Sequence, residues 1–284
     1  MKDNIFFSIV SLFYSIMLII VYFSKQRIDS DENAIYKRLV LTNFLGLIIE
    51  IFPSTLAIRV INNFNPNLAI FILKFILYYF VVWILIFTYY IYVISSKDRY
   101  KEKNIYLSKI NKMKKIMYFI CIVSIILVTI LPLYANDINY TYGPSANYVY
   151  SLSGVMITFI VFMLIRNFRN IRTKKYTPVF SFIFLGIITM IVQYFNPELT
   201  LMIPMETFVT FLMFFTIENP DVKMLNELYK NKEIMESNYE DKYNFLFEIT
   251  QESRNPLKSI ESICNNIEDE KNIKVIKENV KDLS

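Results

Sequence analysis

One short segment, EITQESRNPLKSI, carries the side chains of this chain that most resemble a reactive site. Gln251 stands beside Glu252, and Arg254, Asn255 and Pro256 follow within one and a half helical turns. A carboxylate next to a nucleophile can orient it and accept its proton, so Glu252 has the chemistry of a supporting group. Gln251 cannot be that nucleophile, because an amide is neither a strong nucleophile nor a base near pH 7. We therefore expect position 251 to be chemically silent.

A helix must present these side chains, and the residues before them carry the signals for one. The segment 218–250 contains no Gly, and no Pro beyond Pro220. Asn219 can cap the helix, Pro220 suits its first position, and Asp221 lies where the helix dipole favours a negative charge. We expect a signalling helix over 218–250 and an incomplete helical region over 251–284.

This helix carries a seam whose positions follow alternating three- and four-residue steps, a spacing typical of a coiled coil. The seam consists of Leu225, Leu228, Lys232, Met235, Tyr239, Lys242, Leu246, Ile249 and Ser253. It is weak because two lysines and a serine occupy core positions, and a weak coiled coil can change register as a signal carrier does. Two interpretations stay open, a dimeric coiled coil and a solvent-exposed amphipathic helix without a fixed partner.

The segment FLFEITQESRNPLKSI resembles the phosphoacceptor helix of sensor histidine kinases, whose pattern is F-L-x-x-[IMV]-[ST]-H-E-[IL]-R-[TN]-P-L. The matching residues are Phe245, Leu246, Ile249, Thr250, Glu252, Arg254, Asn255, Pro256 and Leu257. The residues ENPD at 218–221 are similar to the junction after the last span of multi-span bacterial kinases. The resemblance extends over 218–260, about a sixth of the chain, and implies a dimeric helical module driven from the membrane.

The chain departs from that family at the residue that carries its chemistry. Gln251 stands where the family has the phosphorylated His, and Ser253 replaces an Ile or Leu of the dimer core. The sequence contains no histidine, which excludes His phosphorylation, His acid–base chemistry and His-metal ligation in these residues. No glycine follows Gly186, so the segment lacks a phosphate-cradling loop. The family uses ATP and Mg²⁺; we expect this chain to bind neither and to be catalytically inactive.

We also expect no metal site and no disulfide. Cys121 lies in an apolar run and Cys264 in the polar tail, and neither has the neighbours of a metal centre. Acidic residues scattered along a polar helix, such as Glu261 and Glu268, are typical of a solvated face.

Before residue 218 the chain has the composition of a membrane protein. The sequence is 55% hydrophobic, against about 45–50% in a typical soluble domain. Seven apolar stretches have roughly the ~20-residue length that crosses a bilayer, at 4–23, 38–60, 68–94, 114–134, 148–166, 177–195 and 199–217. The sequence predicts an all-α protein: a seven-transmembrane bundle over 1–217, a cytoplasmic coiled-coil helix and a partial helical hairpin.

The loops between these stretches alternate in charge. Those at 24–38, 95–115 and 166–176 are rich in Lys and Arg, whereas the loops on the other side carry neither. Because basic loops stay in the cytoplasm, the N-terminus is predicted outside and the tail inside. We expect a multi-pass protein of the plasma membrane with the lipid bilayer as its surroundings, and no nucleic-acid partner.

Three ionisable residues lie within the apolar stretches: Glu50, Lys74 and Glu206. Charge at membrane depth costs about 2.5–3.5 kcal/mol and normally faces the interior of a bundle. All three are candidate ligand-binding residues. Glu50 and Lys74 lie on neighbouring spans at depths that allow a pair, which would act as a packing clip or as part of a ligand pocket. Pro53 and Pro204 can bend their helices and open space nearby.

We interpret the chain as a membrane-embedded signal sensor of the histidine-kinase family, degenerate or truncated, that acts by conformational change of a dimer. Its partner would be a second copy or an intact histidine kinase. Two alternatives remain, a non-kinase receptor or scaffold that keeps its tail for dimerisation, and a small transporter.

Overall fold

The computed structural model describes residues 6–25, 30–61, 66–99, 103–135, 141–166, 176–196, 199–216 and 220–264, together with residues 274, 276, 278 and 281. The chain divides into two units, Met1–Pro220 and Asp221–Ser284. Helices make up nearly all of the described residues, so the fold is all-α, as the sequence predicts. The predicted cap Asn219 lies outside the described residues.

In its described residues, the first unit contains seven helices and one small two-stranded sheet. The helices are α1 Phe6–Ser24, α2 Asp31–Ile61, α3 Pro66–Arg99, α4 Lys103–Ile130, α5 Pro144–Arg166, α6 Thr177–Phe195 and α7 Met202–Thr216. Strands β1 Tyr134–Ala135 and β2 Thr141–Tyr142 pair antiparallel, with Tyr134 opposite Tyr142. Their rings lie 5.7 Å apart and cover the turn that leads into α5.

Within the described residues, five helices are long and apolar enough to cross a membrane: α1, α3, α4, α5 and α6. The predicted stretch 38–60 runs into residues of α2 whose side chains lie outside the described part. The stretch 199–217 differs from expectation, because residues 199–201 are not helical and α7 has 15 residues. At 1.5 Å per residue α7 is about 22 Å long, which is shorter than the hydrocarbon core of about 30 Å.

The middle of the bundle is α3, which packs against α2, α4 and α5. Trp83 and Phe87 of α3 stack at 5.0 Å, and Phe182 of α6 closes on both rings. Large apolar side chains such as Phe119 and Phe184 are exposed on the outer faces. Such a surface is costly in water and suits a lipid solvent, so the helices are compatible with a bilayer.

Helix starts in this unit follow local chemistry. Ser30 precedes α2 and accepts a hydrogen bond from the Asn33 backbone N–H at 3.3 Å, as a capping residue does. Asp31 and Glu32 follow in the first turn, where the helix dipole favours acids. Before α5, Gly143 has a φ of 118°, a conformation that side chains other than Gly rarely adopt.

The second unit is dominated by α8, Pro220–Cys264, a single helix of 45 residues. It crosses residue 250 without a break and contains Pro256 in its interior. The apolar residues of the seam are exposed in this chain, for example Leu228 at 66% and Tyr239 at 65%. Lys232 and Glu236 form an exposed i,i+4 ion pair at 3.6 Å. Beyond α8, residues 274, 276, 278 and 281 are helical and exposed.

Candidate functional site

A buried polar centre lies inside the first unit, built around two carboxylates. Glu50 of α2 is 5% exposed and Glu206 of α7 is 2% exposed. The two side chains interact electrostatically. Among the described residues no Lys or Arg forms an ion pair with either of them. The structure thus brings together two of the three ionisable residues that the sequence places in apolar stretches.

The α2 contribution follows from helical spacing. Asn43, Gly46 and Glu50 are separated by three and four residues, so they share one face of the helix. That face points inward, since Asn43 and Glu50 are both buried. The helix α2 therefore supplies the amide of Asn43, the carboxyl group of Glu50 and, at Gly46 between them, a space without a side chain.

The gap at Gly46 admits the ring of Tyr79 from α3. A Cβ built on Gly46 would overlap that ring and lie 2.5 Å from its Cδ2 and Cζ atoms. Real Cβ atoms do not approach other carbons so closely, so only glycine lets the ring rest on the α2 backbone. This contact fixes the position of the Tyr79 hydroxyl along the α2 axis, within the polar centre.

The Tyr79 hydroxyl joins α2, α3 and α7. It lies 2.6 Å from Glu206 Oε2 and 3.0 Å from Asn43 Oδ1. A phenol has one proton, and the shorter bond to a carboxylate is the stronger use of it. As placed, Asn43 Nδ2 is buried and has no hydrogen-bond partner among the described atoms. With its amide turned so that Nδ2 donates to the phenol oxygen, all three groups form one chain from Asn43 through Tyr79 to Glu206.

Glu50 is held by a second hydroxyl. Ser8 of α1 donates to Glu50 Oε2 at 2.6 Å, and its Oγ lies 3.5 Å from Thr200 Oγ1 in the non-helical segment before α7. Ser8, Ser11 and Ser15 recur at three- and four-residue spacing and are all buried. In lipid, small polar residues mark the inward face of a helix, and here they let α1 approach α2 and α7 closely.

The arrangement is suited to positively charged ligands. Two ionised carboxylates in an apolar bundle are costly unless a proton or another positive charge neutralises them. The surrounding donors and acceptors are hydroxyl, amide and carboxylate groups, whose oxygens favour hard cations, ammonium groups or protons. The described residues contain no cluster of three His, Cys, Asp or Glu that could hold a metal ion.

Lys74 has other partners, and the predicted Glu50–Lys74 pair is wrong. Lys74 Nζ donates to the backbone oxygens of Thr129 at 2.7 Å and Leu131 at 2.9 Å. These carbonyls stand at the C-terminal end of α4, where they lack helical donors and the dipole is negative. Two such acceptors satisfy an ammonium without a second buried charge, while Glu50 is held by Ser8.

The motif residues of the tail lie on α8. Gln251, Glu252 and Arg254 are exposed, and Pro256 lies within the helix. The side chain of Asn255 lies outside the described part. Exposure is what a phosphoacceptor helix requires, but with Gln251 at the central position no nucleophile is presented. The roles assigned to these five residues stay predictions.

The sequence reasoning missed Ser8, Asn43, Tyr79 and Thr200. Two signals were available. Gly46 is one of only four glycines and stands between Asn43 and Glu50 on one helix face. The serines of α1 recur at helical spacing in an otherwise apolar stretch. Neither signal identifies Tyr79 among 21 tyrosines, because its partners come from distant helices.

The packing of the Tyr79 ring against Gly46 can be tested by a substitution that adds one methyl group. Gly46→Ala should destabilise the bundle by about 1–3 kcal/mol, the ordinary cost of overpacking, because the ring must leave its place. Thermal unfolding in detergent measures the effect. Gly154→Ala on α5 is the matched control: its added methyl meets nothing within 4 Å, and Ala is a better helix former than Gly by up to about 1 kcal/mol. Equal melting behaviour of both variants would show that Gly46 has no special role.

No protein-family model, no curated protein and no solved structure matches the chain. Its function must therefore be inferred from its own residues, of which the buried acid pair and the exposed motif of α8 are the most informative.

Proposed function

We propose that the protein is a membrane-embedded signal transducer of the sensor histidine kinase type, in which the bundle detects a signal and α8 transmits it. The observation that carries this proposal is α8 itself. It is one long helix that belongs to a unit separate from the bundle, it bears nine residues of the phosphoacceptor pattern, and its apolar seam is exposed. A seam of this kind needs a partner helix.

In this proposal α1 to α7 all lie in the plasma membrane, with the N-terminus outside and α8 in the cytoplasm. The five long apolar helices and the alternation of basic and neutral loops support this topology. The short α7 would complete its path across the bilayer with the non-helical residues 199–201, whose polar groups are sheltered by α1 and α6. Gln193 of α6 donates to the Leu199 carbonyl at 2.9 Å, which supports that shelter.

The partner of α8 would be a second copy or an intact histidine kinase, paired as a coiled coil. Lys232, Lys242 and Ser253 weaken the seam, so a small free-energy change can shift its register. The buried pair of Glu50 and Glu206 would be the site at which the signal is detected. Binding of a positively charged ligand would change how α1, α2 and α7 pack, and α7 leads into α8 through the Asn219–Pro220 junction.

Disulfide cross-linking tests the seam. Met235→Cys and Leu246→Cys, in a background with Cys121→Ala and Cys264→Ala, should give cross-linked dimers in oxidised membranes because seam residues face their counterparts. Ser237→Cys and Asn244→Cys lie on the opposite face and are the matched controls. Non-reducing gels measure the dimer fraction. Equal cross-linking on both faces would contradict a coiled coil along this seam.

The link from the acid pair to α8 has its own readout. Glu50→Gln and Glu206→Gln keep the shape of each side chain but remove its charge. In the Met235→Cys background, each should change the ratio of cross-linked to free chains by about fivefold or more, the lower range of ordinary allosteric coupling. Thr158→Val, on the exposed face of α5, should leave the ratio unchanged. If neither Glu variant changed the ratio, the acid pair would have no influence on the pairing of α8.

Position 251 decides phosphotransfer. Purified chain incubated with labelled ATP and Mg²⁺ should stay unlabelled, because an amide cannot accept the phosphoryl group. Gln251→His should also stay unlabelled on its own, since these 284 residues contain no glycine-rich ATP loop. An intact sensor kinase serves as the positive control. Label on the wild-type chain would overturn the silent role of Gln251.

A transporter is the second candidate, and one observation favours it. Glu50 and Glu206 are buried in an apolar bundle without a Lys or Arg partner among the described residues, and buried acids of this kind are typical of ion pathways. Cation uptake into proteoliposomes that is lost in Glu206→Gln would support this alternative. Co-purification of α8 with a kinase would instead support the transducer over an independent receptor or scaffold.

A further inference from the structure

A second site lies away from the acid pair, in a crevice between α2, α3 and α4 with a volume of about 130 Å³. One part of its wall is basic, formed by Arg38 of α2 and Lys114 of α4. Tyr89 of α3 and Tyr118 of α4 stand beside these two cations. Tyrosines at such a place are typical of the level at which lipid headgroups meet the hydrocarbon.

The basic part is arranged to receive an anion. Arg38 Nη1 donates to the Tyr118 hydroxyl at 3.2 Å, which orients the guanidinium, and a guanidinium carries five N–H donors in all. A fork of this kind matches phosphate oxygens. Lys114 is half-buried in the wall of the crevice, as is usual for a lysine whose stem packs on apolar neighbours while its ammonium stays in a polar environment.

Acidic residues lie near this crevice and must be weighed against its cations. Asp31 and Glu32 stand two turns before Arg38, at the start of α2. Glu32 forms an ion pair with Lys97 at 3.0 Å. Asp31 and Arg38 both lie near the Tyr89 hydroxyl, and their opposite charges partly offset each other there. Neither acid lines the crevice itself, so its wall keeps two positive charges.

The rest of the wall is apolar. It is formed on α3 by Val82, Leu85 and Ile86, and on α4 by Met117 and the half-buried thiol of Cys121. Both helices are apolar enough to cross a membrane, so lipid chains are the solvent that meets this surface. A ligand that fills the crevice must therefore combine an anionic group with a hydrocarbon chain.

We propose that this crevice binds an anionic phospholipid, with its phosphate on Arg38 and Lys114 and one acyl chain along α3 and α4. Charge complementarity distinguishes it from a zwitterionic lipid, whose choline would meet the same two cations. The topology proposed above places the site in the cytoplasmic leaflet; binding itself does not depend on the signalling role. A lipid here would tie α2, which carries Glu50, to α3 and α4.

Native mass spectrometry of the full chain in detergent tests this proposal. The chain is titrated with phosphatidylglycerol and with phosphatidylcholine of the same acyl chains, and phosphatidylglycerol should bind more tightly. Arg38→Gln and Lys114→Gln should each weaken it about fivefold, and together about thirtyfold. The matched control is Lys109→Gln with Lys112→Gln, which removes two charges from exposed positions of α4 outside the crevice. Its preference should equal that of the wild type.

Two further variants keep the result interpretable. Arg38→Lys with Lys114→Arg conserves the charge and should retain the preference, which shows that loss in the Gln variant is not misfolding. Cys121→Trp fills the apolar end and should weaken phosphatidylglycerol binding without a change of charge. The proposal is overturned if the Gln pair keeps the wild-type preference or if the Lys109/Lys112 control loses it equally. It is also overturned if glycerol phosphate competes as well as the lipid does, since the site would then recognise a free anion.

Discussion

The polar centre depends on one contact, in which the ring of Tyr79 packs against the backbone of α2 at Gly46. Gly46 leaves room for the ring, and the ring carries its hydroxyl to Glu206 of α7. Without that close approach the phenol would stand away from α2, and the carboxylate would lose its shortest described bond. The absence of a side chain at Gly46 thus lets α2, α3 and α7 join around a buried carboxyl group.

Under the proposed function the whole bundle lies in lipid, which is as apolar as the interior of a protein. Association of its helices cannot rely on removing hydrophobic surface from solvent, and large apolar residues accordingly face outward. Small and polar residues lie among the large apolar side chains of the interior: the serines of α1, Asn43, and the threonines of α7 that bond to their own helix. Lys74 illustrates the rule, since it takes the free carbonyls at the end of α4 rather than a second charge.

Under the proposed function the second unit lies in water, where the preference for exposed apolar surface is reversed. In water an exposed apolar seam is unfavourable, and α8 has such a seam along most of its 45 residues. Under the proposed function, this helix with Pro256 in its interior keeps the shape of a phosphotransfer helix, while Gln251 supplies no reactive group. Under the proposed function, the chain is a receiver and carrier of conformational change whose chemistry, if any, belongs to a partner.

Sequence alone determined the local features: the helices, their apolar stretches, the start of α8 at Pro220 and the amide at position 251. Each follows from spacing, capping or side-chain chemistry within a few residues, and the structure confirms the all-α fold. The limits of α7 were less predictable, since 199–201 are apolar enough for a helix but do not form one. Only the tertiary structure decided that Glu50 accepts a hydrogen bond from Ser8 in the same polar centre as Glu206, while Lys74 caps α4. The physical reason is that contacts between helices depend on their rotation and relative height, which are fixed by many packing contacts together and leave no periodic trace in the chain.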